Sequence, residues 1–62
     1  MLVTFTDITT GNSVAINPTQ VACVFTAKVE EEEHTVINML NGNIAVSEGY
    51  LDVVGKLQGE LK

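Results

Sequence analysis

The sequence contains no arginine and no tryptophan, and only one cysteine, one proline, one histidine and three aromatic side chains among 62 residues. Each shortage excludes something. A solitary Cys23 cannot form an intrachain disulfide, and this cysteine usage fits a reducing, cytoplasmic-type compartment. Lying between Ala22 and Val24, it is expected to be a buried, inert thiol. Three basic side chains against eight acids leave a formal net charge of −5, which repels a polyphosphate backbone, so nucleic acid is not an expected partner. No apolar run approaches the roughly 18 to 20 residues of a membrane span. The N-terminal MLVTFTD lacks the basic region of a signal peptide, so a soluble, cytoplasmic protein is expected. Gly11 and Gly42 fall in isolated turns, and no glycine-rich strand-to-helix loop is present to cradle a phosphate.

What remains is a single-domain pattern over residues 1–62. A chain of this size buries only about 60% of its unfolded surface, so oligomerisation is a natural compensation where disulfides are excluded. In Leu2–Thr6, alternation puts Val3 and Phe5 on one face. A hairpin is expected at Gly11-Asn12, followed by a strand with Val14 and Ile16 inward. Asn17-Pro18 ends that strand and reads as the cap and first residue of a helical turn over 18–20. Residues 21–29 read as a central strand with Val21, Cys23, Phe25, Ala27 and Val29 on the core face and Ala22, Val24, Thr26 and Lys28 opposite. Asn41-Gly42 predicts a tight hairpin between residues 35–40 and 43–47, with Leu40 opposite Asn43, Met39 opposite Ile44, and Ile37 opposite Val46. An odd-length loop at the glutamate run then brings Phe25 and Cys23 level with Ile37 and Met39.

After Ser47 the period changes. Tyr50, Val53, Val54, Leu57 and Leu61 recur at helical spacing, predicting a helix over about 48–61, capped by Ser47 with Glu48 near its dipole and Asp52, Lys56 and Glu60 along an outer charged line. The expected fold class is therefore mainly β with one C-terminal α-helix: about five antiparallel strands in hairpins, as a small sheet or partly open barrel. Glu30, Glu31, Glu32 and Glu33 with His34 form a solvated tip that is a candidate surface for a basic-surfaced protein partner. No metal site is expected there, because consecutive carboxylates lack the spacing of a calcium loop. One helix covers only one side of a sheet, so Val24, Val36 and Leu40, with Leu51 and the Gly55/Gly59 pair on the helix, are candidates for a self-association surface, a dimer being favoured.

The run from Gly11 to Leu57 carries Gly11, Val14, Ile16-Asn17-Pro18, Val21, Thr35-Val36-Ile37, Asn41-Gly42, and Val46 with Glu48 before a helix. This pattern resembles the FlbD family of small flagellum-associated proteins, and the resemblance implies a hairpin-rich fold. The tip Glu30–Glu33 is longer than that family's turn. The strand order and length also look like the carbon storage regulator family, which forms intertwined dimers and binds RNA. The stretches matching its RNA-binding arginines, residues 3–6 and 45–50, contain none, so only architecture and dimer logic carry over.

Nothing in the spacing of Cys23, His34 and the acids suggests that they converge, so neither catalysis nor a cofactor is expected. The expected function is a small non-catalytic protein-interaction module that self-associates and presents an acidic loop to a protein partner. The alternatives are a structural assembly subunit or a small accessory inhibitor, bacterial or phage-encoded, of a host protein.

Overall fold

In the computed structural model, which describes residues 2–61, the alternating segment Val3–Thr6 forms β1 and pairs antiparallel with β2, Ser13–Ile16. The connection is built by its polar residues. The Asp7 carboxylate accepts from Thr9 N–H (2.8 Å), and Gly11 N–H donates to the Asp7 carbonyl (2.8 Å). Gly11 has a φ of +76°, the left-handed conformation that side chains resist. After β2, Asn17 accepts from Thr19 N–H (3.1 Å), and Pro18–Gln20 form the single 3₁₀ turn that Asn-Pro predicts.

Strands β3 (Val21–Val29), β4 (Glu32–Met39) and β5 (Gly42–Val46) make a second antiparallel sheet in the order β3-β4-β5. Helix α1, Tyr50–Leu61, follows. The predicted β-β-β-β-β-α order is the observed one, divided among the described residues into sheets of two and three strands with no closed barrel. The sheets touch where Asp7 bridges Val46. Ser47 N–H donates to the Thr6 carbonyl (2.9 Å), and Ile8 N–H to the Ala45 carbonyl (3.1 Å). The core joins both sheets to the helix: Val3, Phe5 and Ile16 from the first, Ile37 and Val46 from the second, Val53 and Leu57 from α1. The side chains of Val29, Glu60 and Leu61, assigned by the sequence to a strand face, the charged line and the helical stripe, lie outside the described set.

Several registers differ from expectation, each for a local reason. The glutamate connection is even, not odd: Glu30-Glu31 form a two-residue turn, and Val29 pairs with Glu32. Strand β3 is consequently inverted. Val24 pairs with Ile37 and packs against the core, while Phe25 pairs with Val36 and Cys23 with Asn38 on the outer face. Cys23 is exposed, not buried. A bulge between Val21 and Cys23 shifts the alternation again, so Val21 also packs against the core. The place expected for Phe25, level with Ile37, is taken by Val24, and the buried phenylalanine is Phe5, which is 1% exposed.

At the second hairpin the turn residues are Leu40-Asn41. Met39 pairs with Gly42, Ile37 with Ile44, and Thr35 with Val46. Positive φ falls on Gly42 (+144°), beyond the turn, whereas the expected turn required it at Asn41 as well. The pairing differs by two positions from the one expected, an even step that leaves every side chain on its assigned face. Helix α1 begins at Tyr50, not after a Ser47 cap, and Val53 N–H donates to the Gly49 carbonyl (3.0 Å). Ser47 and Glu48 instead serve the edge of β1.

Candidate interaction surfaces

That edge explains Glu48. In an antiparallel pair, alternate residues direct their backbone groups away from the partner strand. Thr6 is one of these. Its carbonyl accepts from Ser47, and its N–H donates to both Glu48 carboxylate oxygens (2.9 and 3.2 Å). The Thr6 hydroxyl donates to Glu48 Oε2 (3.1 Å). Partial burial pushes the Glu48 carboxyl up, but Thr6 N–H, its own N–H, the Thr6 hydroxyl and the charge of Lys56 together hold it below its ordinary value of 4.5.

A carboxyl lowered in the folded state contributes stability above its unfolded pKa and loses that contribution as pH falls through the folded value. Glu48→Gln is therefore expected to cost about 1 kcal/mol at neutral pH. Urea unfolding at a series of pH values should show the two proteins converging once the pH falls below the folded pKa. A constant difference at every pH would remove the carboxylate charge as the cause.

The hairpin of β3 and β4 carries the acidic tip. Glu30 and Glu31 occupy the turn with φ of +52° and +70°, both left-handed. Glu32 and Glu33 are the first residues of β4, and all four are exposed. His34 is half-buried, pairs with Ala27, and brings Nε2 to 3.6 Å from Glu32 Oε2. The sequence assigned these five residues to a solvated loop or splayed tip; they form a tight turn and the first rungs of the ladder. Their signal was the spacing of two residues between Val29 and Glu32, masked by four identical side chains.

Beside the tip lies a cleft of about 140 Å³, lined by Glu33, His34, Thr35, Glu48 and Tyr50 among others. It is smaller than the roughly 300 Å³ at which small-molecule sites begin. Cys23 and His34 share the outer face, but their rungs on β4, Asn38 and His34, are four residues apart, about 13 Å along a strand. They are not a nucleophile and base in hydrogen-bond reach. Among the described residues, no three His, Cys, Asp or Glu side chains gather in a way that would hold a metal ion.

The candidate self-association residues separate into four groups. Val24 faces the core, contrary to its sequence assignment, because of the even turn. Val36 lies on the outer face as expected but is only 9% exposed, between Phe25 on β3 and Ala45 on β5. Leu40 at the turn and Leu51 on the helix are 78% and 82% exposed. Gly55 and Gly59 are exposed and border a groove of about 370 Å³ against Leu2 and Thr4 of the first sheet's edge. Phe25, expected on the core face, is 39% exposed and ends an outer apolar row running through Val36 and Ala45 towards Ile8.

No helix among the described residues is long and apolar enough to cross a membrane. No family model, curated protein or solved structure matches the chain.

Proposed function

We propose that this chain is a non-catalytic protein-interaction module that self-associates and offers the Glu30–Glu33 tip to a basic-surfaced protein, in a reducing, cytoplasmic-type compartment. The observation that carries the acidic-tip reading is the backbone of Glu30 and Glu31. A two-residue turn with both residues at positive φ favours Asn-Gly, and each side chain held there costs roughly 1–2 kcal/mol. Two adjacent glutamates add like-charge repulsion. A locally unfavourable, exposed charge cluster at a hairpin tip is what a recognition surface displays. The exposed Phe25, Leu40 and Leu51 support self-association. The single exposed thiol fits a reducing compartment, and the net charge of −5 disfavours nucleic acid. The small size and acidity of the chain support a place among small accessory proteins of bacteria and their viruses.

The test compares capture by the wild-type protein with capture by a variant carrying glutamine at all four tip positions. A partner retained by the wild type should be lost at least tenfold from the variant. Its retention should also weaken as salt shortens the screening length from about 30 Å at 0.01 M to about 3 Å at 1 M. Equal, salt-insensitive capture by both proteins would eliminate the tip as the recognition surface.

A further inference from the structure

The β3 edge has the largest unused hydrogen-bonding capacity in the sheets. Strand β3 is nine residues long, stands at the edge of its sheet, and contains one charged side chain, Lys28, and no proline. The two-residue turn makes Val29 and Glu32 the closing hydrogen-bonded pair, so alternation directs the backbone groups of Ala27 and Phe25 towards β4. The N–H and C=O groups of Val24, Thr26 and Lys28 therefore point outward. The same alternation places the Ala45 carbonyl and Ser47 N–H on the outer edge of β5, where Ile8 and Thr6 engage them. Among the described residues, no comparable hydrogen bond reaches Val24, Thr26 or Lys28. Strand β2, the corresponding edge of the other sheet, has only four residues and runs into Asn17-Pro18.

We infer that two copies of this chain pair antiparallel through β3, about a twofold axis at Thr26. Resting on the self-association in the proposed function, this inference names the surface that makes it. An antiparallel edge is its own complement under a twofold axis. With Thr26 opposite Thr26 of the second copy, Val24 meets Lys28, and all three outward residues of each chain enter the ladder, giving six hydrogen bonds. An axis at Phe25 would align only Val24 with Thr26, giving four before the Val21/Cys23 bulge disrupts the ladder. The Thr26 register places Phe25 opposite Ala27 of the second copy and diagonal to its Phe25, within the roughly 7–8 Å that aromatic side chains span. The outer apolar row, which now ends at a half-open phenylalanine, then continues into the other sheet. Charge permits the arrangement, because the tips leave the axis in opposite directions. The two Glu30 positions lie about 26 Å apart along the paired strands, several times the screening length of about 8 Å in physiological salt.

The experiment combines sedimentation equilibrium with residue-resolved amide exchange. In a lone chain, Val24, Thr26 and Lys28 amides exchange quickly, alternating with slow Phe25 and Ala27. In the proposed dimer all five are slow, and dilution restores the alternation. Thr26→Pro removes an outward donor while sparing the ladder to β4, a substitution that an edge strand accommodates. It strikes both symmetry-related bonds at the axis, so dimer dissociation should rise at least tenfold. A wild-type dimer that keeps the alternating exchange pattern and is dissociated by Leu51→Glu would overturn the edge inference but leave self-association standing. A wild type that remains monomeric at every concentration would overturn both. Exchange in the wild type decides the matter if Thr26→Pro does not fold.

Discussion

Phe5→Ala is expected to destabilise the chain by about 3–5 kcal/mol, a third or more of everything that holds it folded. Phe5 is 1% exposed and belongs to the core that joins both sheets to the helix. The Lys56 ammonium lies 5.4 Å from its ring centroid, a cation–π contact that adds roughly 0.5–1 kcal/mol. Truncating a buried phenylalanine costs about 3–5 kcal/mol through lost transfer energy and the cavity left behind. A domain of this length holds about 3–9 kcal/mol in total, so the loss approaches the whole stability at the lower end of that range. The effect is concentrated because β1 has few other anchors: Val3 is its other buried residue. Circular dichroism and urea titration read the outcome directly. A variant retaining a cooperative transition within about 1 kcal/mol of the wild type would show that the first sheet and helix do not depend on this ring.

The contrast between Phe5 and Phe25 shows how far the sequence is legible. Alternation located both strands, and the expected inward face of β1 is observed because four residues with two threonines leave one apolar side. Strand β3 is apolar on both faces, so composition could not distinguish Phe25 from Val24. Its orientation depends on whether the glutamate turn is even or odd. Four identical residues carry no mark of which two turn, and the bulge after Val21 reverses the alternation again. The helix stripe at Val53 and Leu57 was clear from its spacing, whereas the helix start was not. Ser47 resembles a cap, but the edge of β1 recruits Ser47 and Glu48 from more than 40 residues away. Candidate tip residues were visible as a charge run. Their left-handed backbone and the unpaired β3 edge follow from pairing, which only the assembled sheet defines.

Glu30→Asn with Glu31→Gly is expected to stabilise the domain by about 2 kcal/mol and to raise its midpoint of thermal unfolding by roughly 8–16 °C. Both glutamates sit at positive φ in a two-residue hairpin turn, the geometry for which Asn-Gly is favoured. The double variant relieves backbone strain and removes the repulsion between neighbouring carboxylates. It leaves Val29 opposite Glu32 and Glu32 and Glu33 on β4, so the hairpin register should be unchanged in the exchange pattern of β4. If the tip is retained for recognition, stability and partner capture will move in opposite directions: the melting point rises while capture falls. A midpoint that stays constant or drops would mean that the turn does not store strain, withdrawing the physical ground for treating these glutamates as a display surface. Increased stability with capture undiminished would locate recognition elsewhere, since shape is preserved while half of the four-glutamate charge is removed.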